Sequence, residues 1–355
     1  MYTRKFHLLI SFLLIPFTLS WAQPALKWRV YKTSSNCWLA SSSDLLLFSS
    51  ASHTIRPMTI DPVRKISLIA DIVEYEGYLF VSTDAGLYKI DMTTQGSERV
   101  AFPDDKIIMG KISVDMDYIW LADSNTLYSY DRLSAEWQSY KIPGEDLKTT
   151  GIHSNGEVVT CIGETAVNLF SISTEKWNTN VFSNSISDSV CFWVGKNILN
   201  VIDNNSIRRY IPSSFSWETT VTESVPGDYL DEDSVIYYVD ASQIMKLTSS
   251  TNVIRPLDIP QTGEIKALSK IADTLLIATQ KRIIKYNINS ESMDFIEYSE
   301  DLDASSIEKI SFHDKFLIVI YESFIALYDF TNRSWQKSSR GEFKQKLKAV
   351  TWDDK

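Results

Sequence analysis

The fold is decided by the stretch Tyr118-Ile-Trp-Leu-Ala-Asp-Ser-Asn-Thr-Leu-Tyr-Ser-Tyr-Asp-Arg-Leu-Ser-Ala-Glu-Trp137, because its pattern recurs along the chain. An apolar strand comes first, followed by a polar turn at Asp123-Ser-Asn and a second strand that ends at Tyr130-Asp131. A second turn follows, and Trp137 comes seven residues after Tyr130. Short apolar runs separated by such turn residues predict β-hairpins.

The pattern returns at steps of 37 to 42 residues. We call the last strong apolar residue of each second strand the anchor, and the anchors are Phe48, Ile90, Tyr130, Phe170, Tyr210, Leu247, Tyr286 and Tyr328. The positions seven residues later hold Ile55, Ser97, Trp137, Trp177, Trp217, Ile254, Met293 and Trp335. All but one of these residues are large and apolar. A period near 40 in an all-β pattern predicts a β-propeller.

Each repeat contains four strand-like segments, which we call a to d in chain order. In the seventh repeat they are Ile265–Lys270, Thr274–Thr279, Arg282–Tyr286 and Met293–Tyr298. We therefore predict an all-β chain in which residues 23–355 form a single β-propeller of about eight four-stranded blades. Seven blades with an irregular terminal sheet are the alternative.

Closure of the ring is left open by the sequence. The first repeat has its own segment a, Lys27-Trp-Arg-Val-Tyr31, yet a similar segment, Leu347-Lys-Ala-Val-Thr-Trp352, follows the eighth repeat. If the later segment joined the first blade, the ring would lose an exposed sheet edge. The amino-terminal segment would then pack elsewhere.

The first 22 residues have the pattern of a signal peptide. Arg4 and Lys5 precede an apolar run from Leu8 to Leu19, and Ser20-Trp-Ala22 places small residues at a cleavage site. No later apolar run approaches the length of a membrane span, roughly 18 residues. We expect cleavage after Ala22, a periplasmic or secreted protein, and no membrane insertion of the mature chain.

The charge of the chain restricts its partners. The sequence has 35 basic and 45 acidic residues, and its net charge is −10. An acidic chain without a basic block is unsuited to nucleic acid. The odd number of cysteines leaves at least one unpaired. Cys37, Cys161 and Cys191 all lie in apolar runs, which favours buried thiols, although a Cys161–Cys191 bridge stays open.

Known catalytic and metal-binding patterns are missing from the sequence. Outside the leader, the histidines are His53, His153 and His313, and they form no metal-binding motif. We predict no catalytic residue, no metal site and no cofactor, and the sequence leaves the binding residues unknown. Ser82-Thr-Asp-Ala-Gly86 resembles the start of a sialidase Asp-box, but Tyr88 and Lys89 replace the required Thr and Trp. It is predicted to be a turn.

Acidic residues cluster in the predicted a–b loops, which share one face of a propeller. They are Asp115 and Asp117, then Asp231, Glu232 and Asp233, and finally Asp314. Two of them across a sugar would make a glycosidase, but solvated turns are the simpler interpretation. The tryptophan column is predicted to pack between blades, with exposed aromatic rings that stack on sugars as the alternative.

One repeat resembles a known family. Tyr78-Leu-Phe-Val-Ser-Thr-Asp-Ala-Gly-Leu-Tyr-Lys-Ile-Asp91 is similar to the propeller repeats of periplasmic two-component regulators and related exported bacterial propellers. Ile119-Trp120 and Leu127-Tyr-Ser-Tyr-Asp131 carry the match into the third repeat. In that family the propeller is a sensory or interaction region. The resemblance therefore implies an exported bacterial binding or scaffold module.

Together these observations predict a non-enzymatic, monomeric exported propeller that binds a protein or a glycan. The alternative is a carbohydrate-active hydrolase or lyase with carboxylates at the channel mouth. Any site should lie where the repeats differ, in connecting loops such as Asp231–Asp233.

Overall fold

The computed structural model describes residues 28–339 except 145–148, 164, 182–189, 195–197, 204–205, 212–215, 222–228, 233–234, 241, 249–252 and 260–262. The described chain forms eight four-stranded antiparallel sheets, and each consists of four consecutive strands. This arrangement is an eight-bladed β-propeller, so the predicted architecture is confirmed. Its described residues include no helix that is long and apolar enough to cross a membrane.

The strands are numbered in chain order, four to a blade. Blades 1 to 4 contain β1 Arg29–Lys32, β2 Asn36–Ala40, β3 Leu45–Ser49, β4 Thr54–Pro57; β5 Ile69–Tyr75, β6 Tyr78–Thr83, β7 Gly86–Asp91, β8 Ser97–Val100; β9 Lys111–Val114, β10 Tyr118–Ala122, β11 Thr126–Asp131, β12 Trp137–Lys141; β13 Gly151–Ser154, β14 Val158–Ile162, β15 Ala166–Ser171, β16 Lys176–Val181.

Blades 5 to 8 contain β17 Val190–Val194, β18 Ile198–Asp203, β19 Ser206–Ile211, β20 Ser216–Val221; β21 Tyr229–Glu232, β22 Val235–Asp240, β23 Gln243–Thr248, β24 Val253–Pro256; β25 Ile265–Ile271, β26 Thr274–Thr279, β27 Arg282–Asn287, β28 Met293–Glu297; β29 Ile307–His313, β30 Phe316–Tyr321, β31 Phe324–Asp329, β32 Ser334–Ser339. Short 3-10 turns lie at Pro103–Asp105 and Ala304–Ser306.

The seven-residue spacing of the sequence has a simple structural cause. In every blade the anchor and the residue seven positions later are directly opposite each other on strands c and d, from Phe48–Ile55 in blade 1 to Tyr328–Trp335 in blade 8. Opposite residues point to the same side of a sheet and pack together. The ring centroids of Tyr130 and Trp137 are accordingly 5.0 Å apart.

The core is divided into eight apolar layers, one between each pair of neighbouring blades. In the last layer Leu39 and Phe48 of blade 1 meet Phe316 and Ile318 of blade 8, so the ring is closed. Trp28 adds a 2.7 Å hydrogen bond from its Nε1 to Glu308 Oε2.

Blade 1 is completed by its own amino-terminal strand. β1 pairs along its length with β2. The amino-terminal segment therefore does not pack elsewhere, although the alternative for ring closure required that it should. Leu347–Trp352 lies outside the described residues.

Cys37 and Cys161 are buried free thiols, so Cys161 forms no bridge with Cys191. Burial raises the pKa of Cys37 to about 12.

The c–d turns share a backbone conformation that the sequence did not reveal. Five residues after the anchor, the described turns have a left-handed residue that is never glycine: His53, Gln95, Ala135, Glu175, Glu291 and Arg333. A side chain in this conformation costs roughly 1–2 kcal/mol. Asp131 compensates in blade 3, because its Oδ1 accepts hydrogen bonds from the backbone N–H groups of Leu133 and Ser134.

Candidate interaction surface on blade 3

The acidic residues of the predicted a–b loops have different structural roles. Asp115 is buried and accepts hydrogen bonds from Trp120 Nε1 at 2.7 Å, from Tyr118 N at 2.8 Å and from Ser154 Oγ. Its carboxylate therefore stabilises the a–b turn of blade 3 and joins it to blade 4. Asp117, two residues further on, is exposed.

The other acidic residues of this group belong to blades 6 and 8. Asp314 occupies a left-handed position, φ 54°, in the β29–β30 turn. Asp231 and Glu232 are the last residues of β21 rather than part of a loop, which corrects the sequence prediction, and Asp233 lies outside the described residues. The hydrolase or lyase alternative stays an untested prediction.

The three histidines are used in packing and do not form one site. The His53 ring contacts Phe316 at a centroid distance of 4.7 Å, and His313 contacts Phe48 at 6.1 Å, both at the seam between blades 8 and 1. His153 lies on β13, where burial lowers its pKa to about 4. Over the described part of the chain, no three potential metal-ligating side chains come together.

The tryptophan column lies at the perimeter of the ring. Trp137 is half-buried, donates a 2.8 Å hydrogen bond from Nε1 to Ala101 O, and stacks on Phe102 at 3.6 Å between ring centroids. In blade 8, Trp335 Nε1 similarly donates to Glu297 O of the preceding blade at 3.0 Å. The predicted packing between blades is confirmed, although outermost strands leave these rings partly exposed.

Two turns at one end of blade 3 expose large apolar side chains. We define the blade-3 tip as Met116, in the turn between β9 and β10, and Leu133, in the turn between β11 and β12. Their side chains are 78% and 98% exposed. Single exposed apolar residues are common on protein surfaces, so the comparison with equivalent positions decides their significance.

Arg132 joins the two turns that carry the tip. Its backbone N–H donates to Asp117 O at 2.9 Å, and its Nη1 donates to Met116 O at 2.9 Å. Its Nη2 forms a 3.2 Å ion pair with Glu76 in the neighbouring turn of blade 2. The guanidinium also covers the Tyr75 ring at 5.0 Å. The tip is therefore held at several points within the chain itself.

In blade 1 the equivalent positions hold Ser50 and Ala51, but four other blades arrange this turn the opposite way. Two residues after the anchor they place an apolar side chain that packs inward, and three residues after it they place an exposed polar one. The pairs are Met92–Thr93, Ile172–Ser173, Ile288–Asn289 and Phe330–Thr331. Blade 3 has Arg132 inside and Leu133 outside. The exchange of an apolar and a polar residue is present in the aligned turns, but only the structure shows that Leu133 points outward.

No protein-family model and no curated protein sequence matches this chain. Among solved structures, the computationally designed protein Ika8 is similar with a TM-score of 0.63 and 10% identity, over 88% of this chain and 96% of that one. PorZ, described as an essential bacterial surface component of the type-IX secretion system of Porphyromonas gingivalis, has a TM-score of 0.53 and 12% identity, over 90% of this chain and 46% of PorZ.

The third similar structure is a catalytically inactive histidine variant of virginiamycin B lyase from Staphylococcus aureus with quinupristin. Its TM-score is 0.50 at 16% identity, over 72% of this chain and 92% of the lyase. At such identities the similarity shows the fold alone. The expected loose match to exported bacterial propellers is confirmed at that level, as a shared β-propeller fold.

Proposed function

We propose that this chain is an exported propeller that binds a protein partner through the blade-3 tip. The observation that carries the proposal is the inverted β11–β12 turn, which exposes Leu133 where blades 2, 4, 7 and 8 expose polar residues, beside the exposed Met116 of the neighbouring turn. Exposing two large apolar side chains is unfavourable in water, and burying them in an interface removes that cost. PorZ, which has the same fold, is itself a component of a larger assembly.

A protein suits the tip better than the other predicted partner, a glycan. Sugar rings stack on exposed aromatic faces, whereas the tip offers two aliphatic side chains. The Tyr75 ring beside it is already covered by Arg132. Anchoring by a few apolar residues within a polar rim is typical of protein interfaces. Glu76 and Asp117 provide such a rim here.

Site-specific photo-crosslinking in the producing cell tests the proposal. A photoreactive amino acid at position 133 should give a defined protein adduct, because this position would be buried in the complex. The same amino acid at position 93, the equivalent position of blade 2, is the matched control and should give no such adduct. Leu133→Thr and Met116→Ser should each weaken association with the crosslinked protein at least about tenfold, the equivalent of 1.4 kcal/mol.

Two results would contradict the proposal. One is the same set of adducts from positions 133 and 93, which would indicate random collision. The other is unchanged association of the crosslinked protein with the Leu133→Thr variant. The melting temperature of each variant serves as the folding control.

Export is part of the proposed function and rests on the leader pattern. Cleavage after Ala22 would give a mature chain that begins at Gln23. The intact mass of the protein recovered from the extracytoplasmic fraction should correspond to residues 23–355. An unprocessed chain confined to the cytoplasm would exclude this location.

A further inference from the structure

A second repeated position, next to the anchor, indicates a binding site on another blade. The residue just before the anchor, on strand c, is opposite a residue of the outermost strand d in every blade. The pairs are Leu47–Arg56, Lys89–Glu98, Ser129–Gln138, Leu169–Asn178, Arg209–Glu218, Lys246–Arg255, Lys285–Asp294 and Leu327–Gln336. Four blades have a cation on strand c, and three of these place an acidic residue opposite it.

The acidic partner makes a direct ion pair in blades 2 and 7. Lys89 Nζ lies 3.1 Å from Glu98 Oε1 in blade 2, and Lys285 Nζ lies 2.8 Å from Asp294 Oδ2 in blade 7. Opposite charges across a strand pair stabilise a sheet, and like charges directly opposite destabilise it. The geometry of this position therefore accepts a carboxylate next to the strand-c cation.

Blade 6 breaks this pattern, because Lys246 faces Arg255. Neither cation forms an ion pair with another described residue. Together with Thr248 and Val253 they line a hollow of about 310 Å³. Lys246 is on the same side as Tyr237, which packs toward blade 7, so the hollow opens at the outer end of that seam.

We propose that blade 6 binds an acidic peptide segment of a partner protein, whose carboxylate takes the place that Glu98 and Asp294 fill in blades 2 and 7. The carboxylate lies between Lys246 and Arg255 and accepts charge-assisted hydrogen bonds from both. Neutralising two facing cations relieves their repulsion, so binding and sheet stability increase together.

A peptide fits the surroundings of the two cations. β24 is the outermost strand of its blade, and edge strands carry backbone groups that can pair with an added chain. Val253 gives an exposed apolar contact beside the cations, and Thr248 adds a hydroxyl group. The chain as a whole is acidic, so attraction of an acidic peptide must be local to this site and sensitive to salt.

The test uses the full mature chain and a fluorescein-labelled hexaglutamate peptide, with binding measured by fluorescence anisotropy at low ionic strength. Arg255→Glu recreates the Lys–Glu pair of blade 2 and should weaken peptide binding at least about tenfold, since it removes a charge-assisted hydrogen bond and adds a like charge. Arg56→Glu makes the same change at the equivalent position of blade 1, where Leu47 is opposite. This matched control should leave the affinity unchanged.

The melting temperature gives an independent readout. Arg255→Glu should raise it slightly in the absence of peptide, because the in-blade ion pair replaces a repulsion. Equal loss of peptide binding in Arg255→Glu and Arg56→Glu would overturn the proposal in favour of a general charge effect. Displacement of the peptide by an equimolar amount of inorganic phosphate would also overturn it, because the site would then hold any small oxyanion.

The site is independent of the blade-3 tip. Leu133→Thr should leave hexaglutamate binding unchanged, so failure of either proposal is distinguishable from failure of the other.

Discussion

Blades 2 and 3 are neighbours with the same four strands and the same turn hydrogen bonds, yet their turns present opposite surfaces. In blade 2, Met92 is 1% exposed and Thr93 faces solvent. In blade 3, Arg132 points toward the neighbouring turns and Leu133 is 98% exposed. The shared features account for folding, since both turns are equally well formed. Arg132 links neighbouring turns, but the exposed Leu133 side chain adds no packing to the fold, which is why we propose that it serves binding.

The largest effect is expected from the buried carboxylate of the shared framework. Asp115→Ala should lower the free energy of unfolding by about 3–4 kcal/mol, because buried donors on Trp120 and Ser154 lose their acceptor. Chemical denaturation measures this loss. Asp117→Ala, at the exposed neighbouring position, should change it by less than about 0.5 kcal/mol. Equal losses would mean that Asp115 is not the group that organises the turn.

A pH effect of up to about 3 kcal/mol is expected from His153, beside Ser154 in blade 4. Its pKa is lowered from 6.5 to about 4 by burial. The unfolded chain therefore takes up this proton first as the pH falls. Stability should be full above pH 6.5 and decrease toward pH 4. His153→Gln should reduce the pH dependence of the free energy of unfolding in this window. An unchanged pH dependence would mean that the imidazole is exposed to solvent.

Blades 2 and 3 also differ at the tryptophan position, where blade 3 has Trp137 and blade 2 has Ser97. Trp137→Ala should cost about 2 kcal/mol, less than the 3–5 kcal/mol typical of a fully buried ring. It removes the stacking on Phe102 and the hydrogen bond to Ala101. Ser97→Ala should leave the thermal melting curve unchanged. No loss in Trp137→Ala would favour the alternative of a ligand-stacking ring.

Replacing one left-handed residue should stabilise the protein. Ala135 has φ 58°, so Ala135→Gly should raise the free energy of unfolding by about 0.5–1 kcal/mol. Ser134→Gly, one residue earlier, should have the opposite sign, because Ser134 is not in the left-handed region. Urea denaturation of both variants checks the backbone conformation of the turn.

The smallest effect on stability is expected from exchanging the turns themselves. The double change Arg132→Met and Leu133→Thr gives blade 3 the turn residues of blade 2. Its free energy of unfolding should stay within about 0.5 kcal/mol of the wild type, because an inward apolar contact replaces the interactions of Arg132. Association with the partner crosslinked at position 133 should be lost. A large loss of stability would show that the inversion serves folding.

Much of the fold could be predicted because each recurring column corresponds to one contact. Tyr130 and Trp137 keep their spacing since they are opposite each other on adjacent strands, and a slip of one residue would turn their side chains to the other face. The buried environment of Cys37 and Cys161 followed from their apolar runs. The position of Asp131 at the start of a turn was also confirmed.

The candidate sites were harder to predict because they depend on which way a side chain points. The exposure of Leu133 depends on the backbone path of a turn, and the sequence shows only an apolar residue near polar ones. Asp231 and Glu232 form the end of a strand although their charge is typical of a loop. The like-charged pair Lys246–Arg255 is visible only when both strands are in register.

Among the described residues, every hydrogen-bonded strand pair lies within one blade, and this determines how the ring can open. In the described chain, the seam between blades 8 and 1 is held by side chains such as Trp28 and Glu308, which are 280 residues apart. Bringing such distant segments together costs roughly 5 kcal/mol of chain entropy. Each blade can form once its own four strands are available, and only this last seam must wait for the whole chain. Mechanical pulling on the two ends should part the ring there first and leave every blade intact.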